Sequence, residues 1–368
     1  MFSILACVAV WWLAAACRAT PQNREEIASE IDRVLSEEYP ANLPGAVILV
    51  ASEGEILLER GYGLSDLESE SPVTPETVFR IASITKLFTT TAVLQLVDRG
   101  EISLSASVSD YLTDIVTLDT AITIDHLLAH TSGLPELLDR PDFMDWVARE
   151  RTVDELLESF VNRAPTFAPG DLNRYSNSNY ILLGFIIERA TGQSLAGFLG
   201  TNIFEPLGMN NTACNTLPDS LPMLATPYEP LRTADGDLDW DHFVVGRPYT
   251  MSSLYAAGGC VSSVRDLNTF NQALFDGRLL RAETLERSLD AVRLNDGNTS
   301  NGSNGGWQID RIGGRTAFMK GGSMPGTCTW YLTIPEKELM VVLLSNRTPG
   351  QPRCGMLTVK LTEIALRR

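Results

Sequence analysis

The chain has 368 residues, is 44% hydrophobic and 20% charged, and carries a formal net charge of −17. This is the balance of a globular protein that buries its own core, in two or three domains or in one large domain with an insertion. The acidity argues against nucleic acid or an anionic membrane as partner, because phosphate neutralisation needs a basic surface.

The first twenty residues read MFSILACVAVWWLAAACRAT. The apolar run from Ile4 to Ala16 is too short to span a bilayer as a helix. Small residues follow it, as at a signal-peptide cleavage site after Ala16 or Ala19. Residues 1–19 are therefore expected to be a signal peptide and the protein to be exported, periplasmic or secreted, although no Lys or Arg precedes the run. Cys17 after three alanines offers a lipoprotein anchor, with Leu13 one position too far upstream for a good match.

Residues 24–38 show helical spacing at Ile27, Ile31, Val34 and Leu35. The stretch GAVILVASEGEILLERGYG predicts two strands around a turn at Glu53-Gly54. From about 80 to 250 the pattern is helical, with helices expected near 83–99, 123–130, 153–162, 178–191 and 194–202. Residues 211–255 and 292–306 are expected to be loops, the latter rich in Asn, Gly and Ser. SVRD at 263–266 is a capping signal. TAFMKGG, CTWYLTI and LMVVLLSN predict late strands, and the chain closes on an amphipathic helix.

Strand signals at both ends and helices between them predict an α+β sandwich. One antiparallel sheet is built from both chain ends and flanked by the terminal helices. The catalytic domain runs over 20–368, with an α/β part at about 20–79 and 256–368 and an inserted helical part at about 80–255. A cleft between the parts is the natural ligand site.

Four cysteines lie beyond the leader, Cys214, Cys260, Cys328 and Cys354, with no C-x-x-C pair. Cys328 with Cys354 is the first choice for a disulfide in an exported chain, and four buried thiols are the alternative. His126 and His130 in HLLAH are four apart. A zinc hydrolase of the H-E-x-x-H type needs Glu after the first His, where Leu127 stands, and no third ligand is evident. The pair is expected to pack and hydrogen-bond rather than bind metal. Gly-x-Ser-x-Gly, the phosphate loop and the dinucleotide fingerprint are all missing from the sequence. No cofactor is expected.

What remains is a serine whose base is not histidine. In RIASITKLFTTT, Ser83 and Lys86 are three apart on a predicted helix and share a face. Apolar and hydroxylic neighbours would desolvate the ammonium, lower its pKa and free it to act as base. Tyr175 and Asn177 precede an apolar helix. Asn177 can both donate to a substrate carbonyl and accept from a lysine. Two nearby ammonium groups are expected to ease ionisation of the Tyr175 phenol. Lys320 ends a predicted strand and can meet a carboxylate, while Gly321 and Gly322 let a substrate backbone approach.

Ser83-Ile-Thr-Lys86, Tyr175-Ser-Asn177 and Lys320-Gly-Gly322, in this order, resemble the three motifs of the serine hydrolases of the class C β-lactamase and D-alanyl-D-alanine carboxypeptidase family. TIDHLLAHTSGLP, FEPLGMNNT and AAGGCVSSVRDL extend the resemblance from about residue 25 to the C-terminus. The resemblance implies an acyl-enzyme on Ser83, with Lys86 and Tyr175 moving protons. It also implies that Asn177, Lys320, Gly321, Gly322 and Ser323 bind substrate, and that the Ser83 and Ser323 amides form the oxyanion hole. Gly321 stands where β-lactamases usually carry Thr, and Ser176 where they commonly carry Ala. D-amino-acid peptides or carboxylic esters are thus the expected substrates. A β-lactamase and a non-catalytic penicillin-binding sensor on the same fold are the alternatives.

Overall fold

The computed structural model describes residues 21–367 apart from 114, 116–118, 217–220, 222, 351 and 352. The expected signal peptide and the Cys17 anchor lie outside the described residues. Helix α1 (Pro21–Glu38) buries Ile27, Ile31, Val34 and Leu35. Strands β1 (Ala46–Ser52) and β2 (Glu55–Tyr62) form the expected hairpin, its turn made by Glu53 and Gly54 with φ of 53° and 77°. Two consecutive left-handed residues are what a tight hairpin with native strand twist requires.

The helical part follows. Helix α2 (Thr85–Asp98) is preceded by a tighter turn at Ala82–Ile84 that carries Ser83. Helix α3 (Ile124–Leu128) and the long helix α4 (Asn177–Thr191) pack around it. Residues Thr85–Leu96 of α2 and Asn177–Ile187 of α4 are buried, so these helices run through the core. In place of the loop expected over 211–255, β3 (Tyr228–Arg232) and β4 (Leu238–Val245) pair as a hairpin. Its strands lack clean alternation and carry Pro230, Asp239 and Asp241, which hides them from a period-two reading.

After α5 (Tyr255–Gly258), helix α6 (Val264–Phe275) opens on the Ser263 hydroxyl, which accepts from the Asp266 amide at 3.2 Å. Then come β5 (Ala291–Arg293), β6 (Thr299–Ser303), β7 (Gln308–Ile312), β8 (Arg315–Met324), β9 (Thr327–Ile334), β10 (Leu339–Ser345) and helix α7 (Cys354–Ala365). Strand β6 corrects the loop expected at 292–306. It pairs through its backbone while its polar side chains stay largely outside the core.

The sheet order is β5-β6-β7-β8-β9-β10-β1-β2, antiparallel throughout. The last long strands and the first hairpin thus lie side by side. Alternation sorts its side chains. Val47, Leu49, Val342 and Leu344 join the helical core, whereas Ile48, Val50, Val341 and Leu343 pack against α1 and α7. Disulfides join Cys214 to Cys260 and Cys328 to Cys354. Strand β7 leaves β8 after the pair Gln308–Met319. Residues 320–324 of β8 therefore have β9 on one side and no strand on the other among the described residues.

Candidate active site

Three elements meet at that free edge. Ala82 is forced to a φ of +44°, a conformation costing an alanine about 1–2 kcal/mol. It turns the chain so that Ser83 stands at the mouth of a cleft of about 790 Å³, lined also by Tyr175, Lys320 and Trp307. Gly322 crosses directly behind it. A Cβ there would lie 3.0 Å from the Ser83 nitrogen and 2.5 Å from the Ile81 carbonyl oxygen, so only glycine allows the strand this close.

Lys86 is fully buried. Its Nζ reaches Asn177 Oδ1 and the Ala257 carbonyl oxygen, each at 2.7 Å, and Ser83 Oγ at 3.3 Å. Burial pushes its pKa far down, the nearby Lys320 pushes the same way, and Glu136 partly opposes them. A neutral amine has two N–H bonds and one lone pair. The two carbonyl oxygens take the N–H bonds, leaving the lone pair for the Ser83 hydroxyl proton. Tyr175 OH lies 2.7 Å from Ser83 Oγ on the other side.

The phenol corrects the expectation from sequence. Burial holds the Tyr175 pKa above the ordinary phenol range, outweighing the lowering by the Ser83 hydrogen bond. Both amines lie over its ring, at 4.8 Å for Lys86 and 5.3 Å for Lys320. Both are themselves driven toward neutrality by burial, Lys320 to about 7. The positive field that was to acidify the phenol is weakened at its source. The residue, which lines the cleft, is still 46% exposed, so solvent moderates the upward push.

Lys320 Nζ donates to the Gly306 carbonyl oxygen at 2.5 Å, in the turn between β6 and β7. Ser323 is exposed and faces Cys328 across the β8–β9 pair. Gly321 is packed differently from the expected open approach. A Cβ there would lie 2.1 Å from Trp330 Cζ3, so the indole occupies the room of the β-lactamase threonine.

Glu136 was missed from sequence, whereas His130 packs and hydrogen-bonds as expected. The Glu136 carboxylate accepts from the Asn177 amide N–H and side-chain Nδ2. His130 is buried, with φ +57°, between Tyr175 and Tyr180 at ring distances of 4.6 and 5.1 Å. Its Nδ1 accepts from the Ser176 amide, and burial, then Lys320 and Lys86, keep it neutral. His126 turns elsewhere, accepting from the Thr123 amide in the capping box of α3. No periodicity flags Glu136; its role follows from where the 130–136 turn lands.

The beta-lactamase family profile matches residues 33–361, and the chain belongs to that family. It is 34% identical to the esterase EstB of Burkholderia gladioli over 74% of this chain and 71% of the esterase. With penicillin-binding protein 4* of Bacillus subtilis it shares 28% identity over 89% of this chain and 72% of that protein. The D-amino acid amidase of Ochrobactrum anthropi SV3, solved with D-phenylalanine, superposes with a TM-score of 0.75 at 26% identity, over 93% of this chain and 98% of the amidase. The protein is a serine hydrolase of this fold.

Proposed function

We propose that the protein is an exported hydrolase that forms an acyl-enzyme on Ser83 and cleaves D-amino-acyl amides, D-amino-acid peptides or carboxylic esters. One observation carries it: Ser83 Oγ is shared between a buried amine at 3.3 Å and a phenol at 2.7 Å. Ser83 Oγ bonds to the substrate carbonyl carbon while its proton passes to the Lys86 lone pair. Tyr175, protonated at rest, gives its proton to the leaving nitrogen or oxygen as that bond breaks, and the Lys86 ammonium restores it. Water then reverses the sequence on the ester. The Ser83 and Ser323 amides stabilise the oxyanion, and Asn177 and Lys320 orient the substrate.

The similarity to an esterase and to a D-amino acid amidase supports this substrate range. Gly321 beneath Trp330 leaves no hydroxyl for a β-lactam carboxylate, which weighs against the β-lactamase alternative. The assembled Ser83, Lys86, Tyr175 and Asn177 weigh against a non-catalytic sensor. Two disulfides suit an oxidising compartment and support export.

Incubation with a fluorophosphonate or penicillin, followed by intact mass, tests the mechanism. A single adduct on the wild type and none on Ser83→Ala is expected. Folded protein that takes up neither reagent would overturn it. A panel of D-amino-acid amides, D-alanyl peptides, esters and a cephalosporin then ranks the substrates.

A further inference from the structure

The cleft does not end at Ser83. Along β8, Lys320 and Gly322 face the helices, whereas Met319 and Gly321 face the α7 side of the sheet. The cleft follows both faces, passing round the free edge of β8 into a second lobe lined by Met319, Gly321, Trp330, Arg353 and Gly355. The Trp330 indole is its floor. A Cβ on Gly321 would lie 2.1 Å from that ring and one on Gly355 2.9 Å from it, so two glycines make room for the indole between β8 and α7. Its buried Nε1 has no hydrogen-bond partner among the described residues.

Arg353 is exposed, stands at the N-cap of α7 and makes no ion pair among the described residues. The first turn of α7 carries no acidic residue and has no side-chain cap, so its amides also stay available to an anion. In a chain of net charge −17, a cation with no ion pair among the described residues that lines the same cleft as an indole is suited to recognition of an anionic group. An extended substrate lying along the free β8 edge sends alternate groups to opposite faces, one to Ser83 and the next to Trp330.

We propose that this lobe is a substrate subsite for a planar apolar group, bound against Trp330, whose carboxylate meets Arg353 and the first turn of α7. The proposal specifies substrates for the acyl-transfer chemistry proposed above and rests on it.

Ligand-observed NMR titration of the Ser83→Ala protein reads binding without turnover. With ethyl, benzyl and 4-carboxybenzyl acetate, benzyl is expected to bind about tenfold tighter than ethyl, and 4-carboxybenzyl tighter still. Trp330→Leu brings the benzyl-to-ethyl ratio to about one, and so does Gly321→Ala, which must displace the indole. Arg353→Met removes only the carboxylate increment. In the wild type the same order is expected in KM for hydrolysis, followed by pH-stat. A benzyl-to-ethyl ratio near one, or a ratio that survives both the Trp330 and Gly321 variants, overturns the subsite. No hydrolysis of any ester with the binding order intact counts against the acyl-transfer function alone and leaves the subsite standing.

Discussion

The Glu136 carboxylate grips both nitrogens of Asn177, accepting from its backbone amide at 2.6 Å and from Nδ2 at 2.9 Å. With its nitrogen thus engaged, the amide can turn only its oxygen toward Lys86, where it accepts at 2.7 Å. Were the amide to flip, two N–H donors would confront the amine. Glu136 therefore positions the proton acceptor without touching the serine.

Replacing Glu136 by Ala frees the amide to flip and is expected to lower kcat by about 10–100-fold, the scale of a misplaced reacting group. Glu136 also raises the Lys86 pKa. Its removal should therefore move the acid limb of the kcat/KM profile to lower pH. A kcat loss with an unmoved acid limb would mean that the residue acts on structure alone. Glu136→Gln, with one acceptor in place of two, is expected to fall between.

Tyr175→Phe separates attack from leaving-group departure. Because the phenol is protonated at rest, its proton matters most where the leaving group is basic. For alkyl esters and amides a loss of about 10²–10³-fold in kcat is expected, the scale of general acid catalysis. For a nitrophenyl ester, whose leaving group departs unprotonated, less than about tenfold is expected. Equal losses on both would remove Tyr175 from the departure step.

Lys320 has a folded pKa of about 7, below its usual value, because it is buried. Its ammonium is present in the fold only below that pH, so KM for a carboxylate-bearing substrate is expected to rise between pH 6 and 9, and Lys320→Met to flatten the rise. Stability runs the same way round. Between pH 7 and about 10.4 the unfolded chain holds a proton at this site that the folded chain does not, so this contribution to stability grows with pH. Lys320→Met is expected to stabilise by about 2 kcal/mol near pH 6, after loss of the Gly306 hydrogen bond, and by little near pH 10. Urea midpoints at the two pH values measure this.

The Cys328–Cys354 disulfide closes 26 residues and ties β9 to the start of α7. Cys354→Ala is expected to cost about 2–4 kcal/mol, read from urea denaturation of oxidised protein. A cost below about 0.5 kcal/mol would mean that the crosslink does not constrain the unfolded chain.

Much of the scaffold was legible because it is periodic. Ile27, Ile31, Val34 and Leu35 recur at helical spacing, and LMVVLLS is buried at all seven positions of β10. Strands that owe their pairing to backbone alone, β6 among them, carried no such signal. Ser83, Lys86, Tyr175, Asn177 and Lys320 could be named because their chemical types and order are local facts.

What the sequence determined was which groups are present and along which elements they lie, since hydrophobic periodicity and side-chain chemistry are properties of the chain itself. Only the tertiary structure decided their ionisation and orientation. Burial turned both lysines toward neutrality and raised the phenol's pKa, and Glu136, 41 residues from Asn177, set the direction of its amide. Desolvation and hydrogen-bond geometry depend on what packs around a group, and that exists only once distant segments have met.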